Sequence, residues 1–213
     1  SLGAFVLWMG IGNTLGSIAA LKKGKWQDRF ANAFTAIGVS LPTFYIGLLV
    51  LFSVVIWLGL LPFPSYESPF EDPGAFFTAM LLPWLTLAIL SAASYTRLTR
   101  NGMLEAMNED FVRLGVAKGL TRRVILRKYV LRSALVPIIT IAGLDFAALL
   151  GGAIITESVF SLPGMGRMSI RAVVESDLPV LVGTTMVAAV FIVLANVIVD
   201  IMYGVLDPRV RSK

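Results

Sequence analysis

The chain has 213 residues, of which 57% are hydrophobic, and its mean hydropathy is +0.83. This apolar share exceeds that of an ordinary soluble domain and predicts a membrane protein. Cysteine and histidine are both absent, which excludes disulfides, thiolate chemistry, histidine-ligated metals and histidine proton relays.

The formal net charge is +5, and its distribution predicts membrane topology. Sixteen of the eighteen Lys and Arg residues fall in three segments that the apolar runs place on one side of the membrane. Short loops rich in Lys and Arg stay in the cytoplasm, so this side is predicted to be cytoplasmic. Topology therefore explains the basic character, and no nucleic-acid partner is expected.

The first apolar run, Leu2–Leu21, is long enough to cross the hydrocarbon core of a bilayer. Gly12 and Gly16 stand four residues apart in this run, a spacing that lets two helices in lipid pack closely. Four basic residues follow between positions 22 and 29. The first span is therefore predicted to run from the outside to the inside.

The second apolar run, residues 31–61, is longer than a straight membrane-crossing helix needs, so it must tilt, bend or begin in the cytoplasm. Pro42 removes one backbone donor and is the predicted bend, and Ser40 or Thr43 could satisfy a freed carbonyl. A structural kink is the main interpretation, and a hinge is the alternative. The following loop, residues 62–74, holds three acidic residues and no Lys or Arg, which suits the outer face.

Two more spans are predicted, residues 76–96 running inward and residues 135–156 running outward. The second contains Asp145, and a carboxylate near mid-bilayer costs roughly 2.5–3.5 kcal/mol on insertion scales. Asp145 should therefore face an aqueous path or a polar partner rather than lipid. Two roles stay open: it lines the translocation pathway and attracts a cationic substrate group, or it forms a hydrogen bond at a subunit interface.

The polar segment between these spans, residues 97–134, is predicted to be a cytoplasmic loop with a helix, a break and a second helix. Nine Lys and Arg residues stand against three acidic residues between positions 97 and 132. Glu109 and Asp110 suit a helix N-terminus, Gly119 suits a left-handed residue that ends this helix, and Thr121 suits the N-cap of the next.

The apolar residues of the first helix share one sector at 100° per residue: Phe111, Val112, Leu114, Gly115 and Val116. A helix of about ten residues is too short to be stable alone in water, so this face requires a neighbour. The segment is predicted to dock on a partner protein. A basic loop that only enforces topology is the alternative.

The last apolar run, residues 179–206, returns to the inside. Before it lies the outer segment, residues 157–178, which is long enough for a turn and a short helix, and Arg171 and Glu175 have the spacing of an i,i+4 ion pair. Within the last span Asn196 and Asp200 share a helix face. They are predicted to pin helices together rather than to handle substrate.

In the outer segment, Pro163 and Gly164 fit a tight turn, and Gly166 gives the backbone further freedom. This geometry is expected to present Phe160 and Arg167 at a surface. A loop that only joins two spans is the alternative interpretation.

The cytoplasmic segment resembles the "EAA" loop of ABC-importer permeases, in the form found in the dipeptide, oligopeptide and nickel permease family. The matching residues are Asp110-Phe111-Val112-Arg113 and Ala117-Lys118-Gly119-Leu120. In that family the loop forms a coupling helix that docks in a groove on the ATP-hydrolysing subunit. The resemblance implies that these residues make the coupling contact: Asp110, Phe111, Arg113, Leu114, Gly115, Ala117, Lys118, Gly119 and Leu120.

In this picture Phe111 and Leu114 enter the partner's groove, while Arg113 and Lys118 make polar contacts at its rim. The sequence departs from the broad consensus at two places. Arg113-Leu114-Gly115 stands where that consensus has Glu-Ala-Ala, and Arg132 stands where it has Pro. Gly115 is expected to leave the helix slightly weaker than the alanine found in the subfamily.

Two further motifs resemble the same family. The stretch 157–167 matches the signature Glu-x-Val-Phe-x-x-Pro-Gly-x-Gly-Arg, and residues 196–209 match an Asn-x-x-x-Asp…Asp-Pro-Arg ending. The first match implies an outer gate or a docking edge for a substrate-binding protein, formed by Glu157, Phe160, Pro163, Gly164, Gly166 and Arg167.

The resemblance covers nearly the whole chain and implies one all-α permease domain over residues 1–213, with about five spans, in the bacterial cytoplasmic membrane. The implied partners are a second permease subunit in a heterodimer, two ATPase subunits that hold ATP and magnesium, and an extracytoplasmic substrate-binding protein. Short peptides are the favoured cargo, and nickel or a metal chelate is the main rival. A further N-terminal span is expected before Ser1, which opens on an apolar run without an initiator Met.

The sequence contains no phosphate-binding loop, metal-ligand cluster, nucleophile elbow or histidine-based triad, so no cofactor, metal or catalytic residue is assigned to this chain. A secondary transporter would need no ATPase and is the alternative architecture. It would more often show inverted repeats and broken helices near mid-membrane, whereas an ATP-driven permease requires a docking helix in the cytoplasm. We find no convincing repeat.

Overall fold

The computed structural model describes residues 1–150 and 153–206, with side chains described as far as Ile198 and at Ile201. All regular structure in these ranges is helical, which confirms the predicted all-α fold. The helices are α1 (Leu2–Leu21), α2 (Trp26–Ser40), α3 (Thr43–Trp57), α4 (Pro73–Ala106), α5 (Asp110–Ala117), α6 (Arg122–Leu150), α7 (Ile154–Val159), α8 (Met165–Val174) and α9 (Leu178–Leu206).

Within the described ranges, four helices are long and apolar enough to cross a membrane, namely α1, α4, α6 and α9. The pair α2 and α3 makes a fifth span if it is counted as one broken element, which agrees with the prediction of about five. The two halves meet at 108°, so the predicted bend at Pro42 is a full break. Leu41 is extended because a residue before proline disfavours the helical conformation.

Close packing between α1 and α4 organises the bundle, as the Gly12 and Gly16 spacing predicts. A Cβ added at Gly12 would lie 2.6 Å from Tyr95 Cβ, and one added at Gly16 would lie 2.6 Å from the carbonyl oxygen of Thr96. Glycine lets the two backbones approach, and dispersion contacts hold helices together in lipid. The resulting core joins α1, α4 and α6 through Ala4, Trp8, Ala88, Ala92, Tyr95, Ile138 and Ala142.

The helices next to the cytoplasmic segment are longer than hydropathy predicts. Helix α4 continues to Ala106, ten residues past the predicted span, and α6 begins at Arg122, thirteen residues before its predicted span. Hydropathy marks where a helix leaves the hydrocarbon, whereas the helix itself continues in water until a stop signal. Most of the segment 97–134 is therefore helical extension rather than loop.

A second core, here called the cytoplasmic cluster, closes this end of the bundle with Ala20, Met103, Ala106, Ile125, Val130 and Ala134. A third core of Leu51, Leu82 and Phe160 lies at the opposite end and packs α3 and α4 against the residue that follows α7. Helix α9 buries little of its apolar surface within this chain. Such a surface suits lipid or another helical subunit.

Candidate functional site

Helix α5 has the start and stop signals that the sequence predicts. Glu109 occupies its N-cap, Asp110 its first turn, and Gly119 has the left-handed φ of +73°. The Leu120 N–H donates to the Gly115 carbonyl at 3.1 Å, and the Gly119 N–H donates to the Val116 carbonyl at 2.9 Å. These two bonds form a Schellman motif, which satisfies the last carbonyls of the helix.

The apolar face of α5 is divided between this chain and the surface. Phe111, Val112 and Leu120 pack against the cytoplasmic cluster, and Gly115 is buried against Ile125. The contact explains why so short a helix is ordered within a single chain. Phe111 is therefore half-buried in this chain's own core and offers a partner less surface than expected.

Two apolar side chains of α5 remain free at the surface: Leu114 is 60% exposed and Val116 is 64% exposed. Asp110 and Arg113 flank them as an exposed i,i+3 pair at 3.7 Å, and Ala117 and Lys118 are also exposed. The start of α6 adds exposed positive charge to this end of the bundle, from Arg122, Arg123, Arg127, Lys128 and Arg132. Because Leu114 and Val116 are two positions apart in the helix, they project from opposite edges of its buried face.

The outer segment is built around the Glu157 carboxylate, whose Oε2 accepts a hydrogen bond from the Arg167 backbone N–H at 2.9 Å. Arg167 lies in the first turn of α8, where N–H groups have no partner within the helix. The negative charge also complements the positive end of the helix dipole. Glu157 therefore fixes the direction in which α8 leaves α7.

The glycines of this segment have a different role from the predicted turn. Gly164 is extended, with φ of −129°, and Gly166 lies inside α8, while the left-handed residue is Ser161 with φ of +53°. A Cβ at Gly164 would overlap the Glu157 carboxyl group, and a Cβ at Gly166 would lie 2.7 Å from Ile154 Cα. Both glycines provide space for the approach of α7 rather than freedom to turn.

The expectation that Phe160 lies at a surface is wrong. Its side chain is 0% exposed and belongs to the core with Leu51 and Leu82. Arg167 is exposed as expected and lines a surface cavity of about 610 Å³ together with Pro163, Gly164, Met165, Met168 and Arg171. The signature 157–167 thus contains one buried residue that packs in the core, Phe160, and a separate exposed surface around Arg167.

The predicted i,i+4 pair on α8 is present, since Arg171 Nε donates to Glu175 Oε1 at 2.7 Å. This hydrogen bond raises the pKa of the Arg171 guanidinium. In α9 Asn196 is half-buried, while the Asp200 side chain and the Asp207-Pro208-Arg209 ending lie outside the described residues. The predicted pinning of helices by Asn196 and Asp200 therefore stays a prediction.

Asp145 faces a cavity of about 820 Å³ between α1, α2, α4, α6 and α7. Its Oδ2 accepts a hydrogen bond from the Tyr95 hydroxyl of α4 at 2.7 Å. The carboxylate therefore has both an open cavity and a polar partner, which agrees with the expectation that it avoids lipid. Tyr95 was not predicted, because fifty positions separate it from Asp145 and nothing in the local sequence connects the two.

Sequence reasoning also missed the ion pair of Asp28 and Arg100. Arg100 donates from Nε to Asp28 Oδ1 at 2.6 Å and from Nη2 to Oδ2 at 3.1 Å. The Gly24 N–H adds a third bond to the carboxylate at 2.8 Å. Asp28 is only 5% exposed, so this bidentate pair ties α2 firmly to α4 at the cytoplasmic end. The sequence signal that could have indicated this ion pair is Asp28 itself, a single acidic residue among the four basic residues of the first cytoplasmic loop.

A helical bundle of membrane-spanning length, with an amphipathic helix at its basic end and an acidic cavity between its spans, defines a membrane transport subunit. The chain belongs to the family of binding-protein-dependent transport system inner membrane components, whose model matches residues 12–212. It is therefore an inner membrane protein of a bacterial transport system.

Named relatives support this assignment over almost the whole chain. The dipeptide transport system permease protein DppB of Escherichia coli K12 is 35% identical over 233 residues, covering 99% of this chain and 69% of the relative. DppB of Haemophilus influenzae is 38% identical, covering 94% and 66%. A putative peptide transport system permease protein of Brucella abortus is 34% identical, covering 99% and 67%. The chain thus spans about two thirds of the length of these relatives.

Proposed function

We propose that this chain is one of two different permease subunits in an ATP-driven importer of short peptides. Two separate ATPase subunits bind ATP and magnesium, an extracytoplasmic binding protein delivers the cargo, and this chain catalyses no reaction itself. Family membership supports the transport role and the dependence on a binding protein. The peptide and dipeptide names of the relatives support the cargo, and those relatives lend no support to nickel.

The observation that carries the coupling role is that Leu114 and Val116 stay exposed on a helix that is otherwise anchored to the bundle. Helix α5 lies between α4 and α6 in the chain, and all three meet in the cytoplasmic cluster. A partner that moves α5 therefore moves the ends of two spans together. ATP-driven closure of the ATPase subunits shifts the bundle between inward-open and outward-open states by this connection.

On the outer side, the binding protein docks at the surface that Arg167 and Arg171 border. The Glu157 anchor holds α8 rigidly, so the docking surface moves with the bundle. Released cargo then passes the cavity that Asp145 lines. On this route the cargo passes one acidic side chain, Asp145, between the outer and the cytoplasmic side of the membrane.

The coupling role is tested by Leu114→Asp in the complete complex, reconstituted in vesicles with its binding protein. A carboxylate in the centre of an apolar contact should lower ATP-driven peptide uptake at least about tenfold, as for a central interface residue. Leu114 is a better probe than Phe111, because a charge at Phe111 would also disrupt this chain's own core.

The matched control is Thr121→Asp, which adds the same charge at an exposed N-cap position where aspartate is favoured. The control should transport normally, and both variants should insert and purify at native yield. Native peptide uptake by the Leu114→Asp variant would refute the coupling role of Leu114. Purification of the native complex without ATPase subunits would refute the importer itself.

A further inference from the structure

The cavity beside Asp145 lies where α2 breaks, and its wall combines apolar residues with a single charged side chain. Among the described residues that line it, Asp145 carries the only formal charge. Ser91 and Ser94 supply further polar groups to the wall, and the buried residues Trp8 and Tyr95 also line it. Its volume of about 820 Å³ lies within the usual range for small-molecule sites.

The Asp145 carboxylate is only partly satisfied by its own chain. In the part of the chain that the structure describes, the Tyr95 hydroxyl is its one hydrogen-bond donor, and it binds Oδ2. A neutral donor leaves the full negative charge in place, and Oδ1 remains able to accept. At the depth of a membrane such a charge favours a cation or strong donors close by.

Arg100, a partly buried cation of α4, is engaged elsewhere, because Asp28 binds it at both Nε and Nη2. No Lys or Arg is among the described residues of the cavity wall. Among the described residues of the wall, none supplies a positive charge to complement Asp145, whereas a cationic ligand would supply one. One carboxylate is too few for a divalent metal, which takes several oxygen or nitrogen ligands.

An ammonium group fits this wall better than a metal does. It donates up to three hydrogen bonds, which match the free carboxylate oxygen and the nearby serine hydroxyls. The apolar remainder of the wall suits the uncharged part of such a ligand.

We propose that this cavity binds the protonated free amino group of the transported peptide, with Asp145 as the charge partner. Tyr95 acts as a positioning residue that holds the carboxylate toward the cavity. This inference rests on the proposed function, since it takes the cargo to be a peptide. It adds that the permease itself, and not the binding protein alone, recognises the amino end.

The test compares two matched variants, Asp145→Asn and Tyr95→Phe, in the complete complex with its ATPase subunits but without binding protein. Binding of a labelled dipeptide and of its N-acetylated form is measured in lipid nanodiscs. The native complex should bind the free amine at least about tenfold more tightly, as expected for a charge-assisted hydrogen bond. Asp145→Asn keeps an acceptor for the Tyr95 hydroxyl but removes the charge. The ratio of the two dipeptide affinities should therefore fall to near one.

Tyr95→Phe removes the hydrogen bond but keeps the charge, so it should weaken binding while a clear preference for the free amine remains. A purely structural pair predicts the reverse, with Asp145→Asn silent and Tyr95→Phe damaging. Equal binding of the two dipeptides by the native complex overturns the proposal without needing any variant. A third outcome is that the Asp145→Asn complex loses its second permease subunit, while Asp145→Glu restores assembly but not the preference for the free amine. That outcome assigns Asp145 to the subunit interface and also overturns the proposal.

Peptide uptake by the native complex with its binding protein is measured separately. Uptake with no amine preference in the nanodisc assay refutes the ammonium site and leaves the peptide importer standing. Absence of peptide uptake refutes the proposed function itself. The two failures are therefore distinguishable.

Discussion

The two short helices that connect long ones are held in different ways. At the cytoplasmic end α5 is shaped by signals in its own few residues, from Glu109 at its start to Gly119 at its end. In the outer segment α8 is capped by Glu157 of α7, and Phe160, which follows α7, fills the core that α3 and α4 share. Both segments keep apolar side chains at the surface, but the outer segment also buries its largest one.

This difference separates residues that hold the bundle together from residues that are available to a partner. Leu114 and Val116 are exposed because the caps and the cytoplasmic cluster already order α5 without them. Phe160 cannot be exposed, because its burial joins α3 and α4 to the outer segment. Substitutions at the buried residues of the outer segment should therefore act on stability, whereas those at the exposed apolar side chains of α5 should act on coupling.

The largest effect is expected for Phe160→Ala. Removing a fully buried phenylalanine leaves a cavity and should lower the free energy of unfolding by about 3–5 kcal/mol. Thermal unfolding of the purified complex in detergent, followed by intrinsic fluorescence, measures this loss. Phe70→Ala is the control, because Phe70 is 96% exposed and should change little. Equal losses of stability in the two variants would show that the burial of Phe160 does not stabilise the outer segment.

The next effect is expected for Gly166→Ala, which tests whether this glycine provides space rather than flexibility. The added Cβ would lie 2.7 Å from Ile154 Cα, a backbone atom that no side-chain rotation can move. Overpacking of this kind costs about 1–3 kcal/mol. Gly183→Ala is the control, because nothing lies within 4 Å of its added Cβ. If Gly166→Ala unfolds at the same temperature as the native protein, α7 and α8 leave enough space at this position for a Cβ atom.

A smaller effect is expected for Gly119→Ala at the cytoplasmic end. Its added Cβ meets nothing within 4 Å, so the cost comes only from placing alanine at a φ of +73°. That conformation costs an L-residue roughly 1 kcal/mol. Hydrogen exchange of the α5 amides should rise, while exchange in α8 should not change. Faster exchange in both helices would mean that the two connections are not independent.

The smallest effect is expected for Glu157→Gln, which keeps an acceptor for the Arg167 N–H and removes only the charge. A charge at a helix N-terminus contributes about 0.3–1 kcal/mol. The unfolding temperature should fall slightly, and more at low salt than at high salt. Glu67→Gln, at an exposed outer loop position, should show no such salt dependence. A larger loss than that of Gly166→Ala would show that the charge, and not the space around it, dominates this anchor.

Much of the fold and part of the candidate site were predictable from the sequence. The spans follow from apolar length, the sidedness follows from the distribution of Lys and Arg, and the ends of α5 follow from Glu109, Gly119 and Thr121. Each of these signals lies within a few residues of the feature that it predicts. They hold because bilayer transfer and helix capping depend on the local chain and on the solvent rather than on distant contacts.

The tertiary structure decided what the sequence left open. Only the packed bundle brings Tyr95 to Asp145 and Arg100 to Asp28, buries Phe160, and places the Glu157 carboxylate against Gly164 and Gly166. The same packing buried the middle of the apolar face of α5 and left Leu114 and Val116 exposed at its edges. These contacts join residues from different helices, and their energy exists only once the helices have met.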